Sequence, residues 1–253
     1  MPFVSVIMPA YNAARTIAEA IESVLQQTYT DFELIILNDF SNDETKYIIK
    51  KYIQDVRIVY IENEKNLGVS ETRNRGISMA KGEWIAFLDS DDIWEKDKLQ
   101  KQMELIQIEK DVILCYTSSA FMDKEGNRYN YVLKAVPYLS YKTLLKRNLI
   151  SCSSAVVRSD VIRKLKMPGD QMHEDYYVWL TILKHIPYAY GIAEPLIVYR
   201  LSQNSKSSNR LKSAKMVYNT YRATGYSEIS AVYLTLRYAI YSIRKRTRIK
   251  HSK

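Results

Sequence analysis

Three carboxylates within four positions, Asp89, Asp91 and Asp92, follow the apolar run Trp84-Ile85-Ala86-Phe87-Leu88. Short, and preceded by Gly82 and Glu83, that run reads as a strand buried on both faces. Carboxylates so close repel one another unless a cation or a hydrogen-bond network holds them, so the cluster suits a divalent metal that in turn holds phosphate oxygens. The other reading has Asp91 or Asp92 capping a helix that begins near Ile93, with the rest in a solvated loop. Asp39, after Asn38, reads by itself as a turn residue or cap. Glu174 and Asp175 precede the apolar-spaced stretch Tyr176–Leu183, which predicts a helix with Asp175 in its first turn. A helix N-terminus keeps such a carboxylate ionised, so it either accepts a proton at neutral pH or serves only helix-start electrostatics. Neither His173 nor His185 has a second histidine at metal-ligand spacing.

Positioning these groups requires alternating strands and helices. Phe3 to Met8 is a strand broken by Pro9, and Asn12 is placed to cap a helix with Ile17, Ile21, Val24 and Leu25 at helical spacing. Glu33 to Leu37 forms the second strand, and Ser41 or Asn42 then caps a helix carrying Ile48, Ile49, Tyr52 and Ile53. Arg57 to Ile61 is a third strand, Asn66-Leu67-Gly68 a turn, and Ser70 to Ala80 a helix stopped at Gly82. Four strands with helical crossovers predict a mostly parallel sheet with ligands at the strands' carboxyl ends. There Pro9-Ala10-Tyr11-Asn12, Asn38-Asp39 and Asp89-Ser90-Asp91-Asp92 collect on one rim. No glycine-rich phosphate loop accompanies them, so phosphate must be met by metal and cations. Val112 to Thr117 is a further strand, and Lys124-Glu125-Gly126-Asn127 a hairpin turn.

The 253 residues carry a net charge of +9, unevenly placed. Residues 201–253 hold 12 Lys/Arg and one acid, Glu228, against 25 basic and 27 acidic residues in the rest. A near-neutral body with a basic tail suits an anionic surface, either membrane lipid or nucleic acid. Against nucleic acid, the tail shows no stacking platform or known motif. Residues 210 to about 247 predict two helices parted at Gly225, with Val232, Leu236, Ala239, Ile240 and Ile243 as an apolar stripe before Arg244-Lys245-Arg246. Such a helix either rests on an anionic leaflet, packs on the domain, or makes a dimer contact. Cys115 and Cys152 lack CxxC spacing, and Val4–Pro9 follows no basic-then-apolar leader, which points to a cytoplasmic protein with reduced thiols.

Val4-Ser5-Val6-Ile7-Met8-Pro9-Ala10-Tyr11-Asn12, Asn38-Asp39, Asn66-Leu67-Gly68, Thr72-Arg73-Asn74-Arg75-Gly76 and Phe87-Leu88-Asp89-Ser90-Asp91-Asp92 together resemble the successive signatures of family-2 inverting glycosyltransferases. The resemblance is close over residues 3 to about 110 and looser to about 208. It implies a single α/β domain of the A type over residues 1–208, with a nucleotide-sugar half (1–110), an acceptor half (111–208) and a basic amphipathic helical extension (209–253). Pro9, Ala10 and Tyr11 would then border the base and ribose, Asp39 would accept from uracil, Arg73 would lie near the nucleotide, and Asp89 would face the ribose. Asp91 would bind Mg²⁺ or Mn²⁺ against the diphosphate, and Asp175 would be the base that activates the acceptor. Glu174, Arg200 and Lys206 are further candidates for acceptor or diphosphate contact. Where many members carry a histidine this chain has Ser202, so the resemblance supplies no histidine contact there.

The activity implied is inverting transfer of a hexose, from a UDP-linked donor, to a lipid-diphosphate-linked or oligosaccharide acceptor. Similarity to enzymes of O-antigen, capsule and teichuronic-acid assembly places it at the inner face of a bacterial membrane. Two other functions remain open at this level: a nucleic-acid-binding module working through the tail, and an inactive scaffold that binds nucleotide sugar.

Overall fold

The computed structural model describes residues 3–201 and 210–252. In chain order its elements are β1 (Val4–Ala10), α1 (Ile17–Leu25), β2 (Phe32–Asn38), α2 (Thr45–Lys50), β3 (Ile58–Glu62), α3 (Val69–Met79), β4 (Trp84–Phe87), β5 (Ile93–Trp94), α4 (Lys98–Ile108), β6 (Leu114–Met122), β7 (Arg128–Leu133) and β8 (Tyr138–Leu139). There follow α5 (Tyr141–Lys146), a single 3-10 turn at Cys152–Ser154, β9 (Val156–Arg158), α6 (Ser159–Leu165), α7 (Glu174–Leu183), β10 (Ala189–Arg200), α8 (Arg210–Ala223) and α9 (Glu228–Lys250).

Every residue of β1, β2 and β4 is buried, as expected of parallel strands covered by helices on both faces. The strand path is β3-β2-β1-β4-β9-β6-β10-β5, with β7 on β6 and β8 on β10. Strands β3, β2, β1 and β4 run parallel, β9 is antiparallel to both β4 and β6, and β10 returns parallel to β6. The chain builds outward from β1 to β3 and then crosses back to β4. The crevice between the ends of β1 and β4 is therefore a topological switch point, where open α/β sheets bind ligands. Gly76 lets α3 lie close on that sheet, since a Cβ there would come within 2.7 Å of Ile7 and 2.9 Å of Leu37.

Local cap signals were partly redirected by tertiary hydrogen bonds. Asn12 does not cap α1, which starts from Thr16; its Oδ1 instead accepts from the amide of Asn42 at 2.8 Å. Ser41 donates to Asn38 Oδ1 at 2.6 Å, and α2 starts only at Thr45, whose amide donates to Asp43 Oδ1 at 3.0 Å. No helix begins at Ile93. Ile93 and Trp94 pair antiparallel with Val198 and Ile197 of β10, and the next helix waits until Lys98. The open edge offered by β10 outweighs the cap that the preceding aspartates suggested. The β6–β7 hairpin turns at Gly126, which adopts φ +92°.

The C-terminal helices part at Gly225 (φ +94°) and fold back onto the domain. Helix α8 lies against α7, and α9 runs along α8, α5 and β7, ending where the Asn130 amide donates to the Ser252 carbonyl at 2.8 Å. The inner face of α9 buries Ala231, Leu234 and Ile249. Its outer face is unusual, because Ile229, Val232, Leu236, Ile240 and Ile243 are 49–86% exposed. Among the described residues no helix is long and apolar enough to cross a membrane.

Candidate active site

A cleft of about 670 Å³ lies where the ends of β1, β2 and β4 meet the N-terminal ends of α3 and α7. Pro9, Ala10 and Tyr11 line it from β1, Asp39 from β2, Arg73 from α3, Asp89 and Asp91 from the turn after β4, and Glu174 and Asp175 from α7.

Asp39 is almost wholly buried, with its charge met by three donors. Oδ1 accepts from Asn63 Nδ2 and the Leu67 amide, each at 2.8 Å, and Oδ2 accepts from the Gly68 amide at 2.9 Å. This fixes the Asn66-Leu67-Gly68 turn and leaves Oδ2 capacity for one more donor. Gly68 sits at φ +81°, and a Cβ there would come within 2.2 Å of Asp170, whose Oδ1 accepts from Ser70 Oγ at 2.7 Å.

The three aspartates after β4 divide into three roles. Asp89 pairs with the buried guanidinium of Arg73, which also donates to Glu174 at 2.6 Å. That one side chain ties α3, the acid turn and α7 together, and it holds Glu174 in a buried ion pair rather than leaving it for a ligand. Asp92 is buried: Oδ2 accepts from Ser153 Oγ at 2.6 Å and Oδ1 from the Arg200 amide at 3.0 Å. Ser153 Oγ also accepts from the Asp89 amide at 3.1 Å. Asp92 is thus a strut between β10 and the 3-10 turn. Asp91 alone, among the described residues, receives no side-chain donor. Burial, and then repulsion from Asp89, push its carboxyl up to about 6.

Asp175 accepts from the Tyr176 amide at 2.7 Å and is half-buried in the cleft wall. The expectation of full ionisation by the helix terminus is corrected here: burial first, and Glu174 second, push the carboxyl up to about 7 against the pull of Arg73. A base poised there exchanges protons readily near neutrality.

Arg200 lies outside the cleft wall. Its Nε donates to the Asp91 carbonyl at 2.9 Å and its terminal nitrogen to Glu19 at 2.5 Å, so it braces the acid turn from behind. His173 lines the cleft with Nε2 3.2 Å from Ser213 Oγ. Lys206 and Ser202 fall outside the described residues.

Residues 5–165 match the sequence profile described as Glycosyl transferase family 2. The chain is a family-2 glycosyltransferase. Over 247 residues it is 36% identical to TuaG of Bacillus subtilis, whose name assigns it provisionally to teichuronic acid biosynthesis, covering 97% of this chain and 98% of that protein. It is 34% identical to WfgD of Escherichia coli, a UDP-Glc:alpha-D-GlcNAc-diphosphoundecaprenol beta-1,3-glucosyltransferase, covering 96% and 94%. The transferase also shares its fold with Staphylococcus aureus TarS 1–349 in complex with UDP-GlcNAc, at TM-score 0.74 and 18% identity over 93% of this chain and 70% of that one. A mannosyltransferase from Pyrobaculum calidifontis in complex with GDP-Man and Mn²⁺ aligns at TM-score 0.68 and 18% identity over 92% and 70%.

A divalent ion fits this transferase through Asp91. Its carboxylate is an under-coordinated oxygen donor next to a second acid, the environment that a hard cation relieves. The described residues contain no group of three His, Cys, Asp or Glu that would cage a metal alone. Mg²⁺ suits such a site when one carboxylate and substrate phosphates share the coordination.

The motif-based reading missed the wall that α8 and α9 supply. Lys212, Tyr238, Ser242, Lys245, Arg246 and Ile249 all line the cleft. A signal existed, since 238, 242, 245 and 249 repeat at helical spacing, but spacing alone does not say which face of the helix turns inward.

Proposed function

We propose that this transferase moves a hexose from a UDP-linked donor, with inversion, to a lipid-diphosphate-linked or oligosaccharide acceptor in the assembly of a bacterial surface polysaccharide. The observation that carries this reading is the presence in one cleft of an under-coordinated acid, Asp91, and a separate carboxyl poised near neutrality, Asp175. Asp91, with diphosphate oxygens, would hold Mg²⁺ or Mn²⁺, which when bound neutralises charge on the departing nucleoside diphosphate. Pro9, Ala10 and Tyr11 would border base and ribose, Asp39 has capacity for one more donor such as uracil N–H, and Asp89 would face the ribose while Arg73 holds it in place. Asp175 would take the proton of the acceptor hydroxyl as that oxygen attacks opposite the leaving group. The names of TuaG and WfgD support the pathway and acceptor class.

UDP with Mg²⁺ or Mn²⁺ is expected to raise the melting temperature by about 5 °C at a hundredfold excess over Kd. Stabilisation that survives chelation, or that ADP matches, would argue against a metal-bridged uridine site.

The exposed face of α9 supports peripheral attachment to the inner leaflet. Ile229, Val232, Leu236, Ile240 and Ile243 fall on one side at about 100° per residue, and the exposed Arg237, Arg244 and Arg248 flank them, which complements anionic lipid. The protein should co-sediment with phosphatidylglycerol vesicles and detach as salt rises, and Leu236→Glu with Ile240→Glu should abolish binding without moving the melting temperature. A dimer in solution that buries the stripe would defeat this assignment.

A further inference from the structure

Charge is segregated inside the cleft. All six of its carboxylates, Asp39, Asp89, Asp91, Asp170, Glu174 and Asp175, come from the strand ends, the 170 loop and α7, whereas α8 and α9 contribute Lys212, Lys245, Arg246 and no acid. Arg73, the cation among the acids, is already engaged with Asp89 and Glu174. Lys245 is different. It is half-buried, its ammonium stands 5.9 Å from the centre of the Phe121 ring, and no carboxylate among the described residues pairs with it. Burial first, and then Arg246, pull its pKa down to about 8. A cation withdrawn from water without a counter-charge is costly, and a phosphate arriving in the cleft would offset that cost.

The position of α9 indicates whose phosphate this is. Its neighbours are α5, β7 and α8, and the wall beside Lys245 includes Phe121 and Leu133, whereas the proposed nucleotide contacts sit on the ends of β1, β2 and β4. Ile240 and Ile243 lie on the far side of the same helix from Lys245, by the roughly 100° step of an α-helix. One helix therefore turns an ammonium into the cleft and an apolar stripe outward. We infer that Lys245, assisted by Arg246 and Lys212, binds an acceptor phosphate beneath α9, so that the helix resting on the bilayer also holds the head of the lipid-linked acceptor. This rests on the lipid-diphosphate acceptor proposed above.

The test titrates farnesyl diphosphate, and separately inorganic pyrophosphate, into the full chain saturated with UDP and Mg²⁺. Farnesyl diphosphate should bind alongside UDP, about tenfold more weakly in Lys245→Met and within about threefold of the native protein in Lys245→Arg, while UDP affinity stays within about twofold. Pyrophosphate binding that falls in parallel assigns the contact to the phosphate, and an unchanged pyrophosphate affinity would overturn it. Lys212→Met, on an exposed position of α8, repeats the measurement should Lys245→Met lower the melting temperature; it should weaken farnesyl diphosphate and spare UDP. Displacement of the probe by UDP, loss of UDP affinity in the lysine variants, or no binding of the probe would overturn the inference. Failure to transfer any sugar would count against the proposed function while leaving this binding readout intact.

Discussion

Asp91→Asn should cut turnover by about a thousandfold or more and, at the same time, make the metal-free protein more stable. Both effects follow from the same carboxylate. Among the described residues no side chain donates to it, and burial with repulsion from Asp89 raises it to about 6. The fold thus favours its neutral form, and the unfolded chain does not. Below the ordinary carboxylate pKa both states are protonated and nothing is lost; as pH climbs from there through about 6 stability falls, and above that the full penalty stands. An amide of the same shape carries no such penalty. At pH 7.5 without metal, Asp91→Asn should therefore melt roughly 6 °C higher than the native protein, and at pH 4 the two should nearly converge. With Mg²⁺ and UDP the order should reverse, because the carboxylate offers the ion a charged ligand and the amide only a neutral one. Native-like turnover in the variant, or a lower melting temperature at pH 7.5 without metal, would remove Asp91 from the role of metal ligand.

The parallel half of the sheet was plain in the chain itself, because β1, β2 and β4 are short, mostly apolar runs bounded by turn residues, as strands covered on both faces require. Gly68 was equally legible as a turn. The partners of each acid were not. Asp89, Asp91 and Asp92 look alike in sequence, yet one is claimed by Arg73, one by Ser153 and the Arg200 amide, and one by no side chain. Those partners lie 16, 61 and 108 positions away, beyond the reach of any local pattern. Arg200 was misleading for the same reason, since a basic residue before a polar loop gives no hint that Glu19, 181 positions earlier, will hold it. In α9 the periodicity was clear, but an amphipathic pattern does not say which stripe finds a partner. Here the face carrying Tyr238, Ser242 and Lys245 turned inward, and the more apolar one stayed outside.

The base assignment makes the second large prediction, and Glu174 is the residue that could imitate it. Both acids stand at the N-terminus of α7, and both line the cleft. Glu174, however, is held by Arg73 at 2.6 Å in a buried pair, so its carboxylate is already engaged. Among the described residues Asp175 accepts only from the Tyr176 amide, and burial, then Glu174, raises its carboxyl to about 7. A base acts when deprotonated. For the native enzyme kcat/KM should accordingly rise with pH, about tenfold per unit below 7, and level off above it. Asp175→Asn should lower kcat by about 10²- to 10⁴-fold, abolish that rise, and leave the metal-dependent stabilisation by UDP intact. Glu174→Gln should act elsewhere: with one acid gone, Arg73 is left partly uncompensated in a buried site, so the melting temperature falls, while the residual activity keeps a limb that moves to lower pH because the repulsion from Glu174 is lost. Should the limb vanish in Glu174→Gln and persist in Asp175→Asn, the proton would be leaving through the buried pair, and α7 would have to rotate its first turn toward the acceptor for the reaction to proceed.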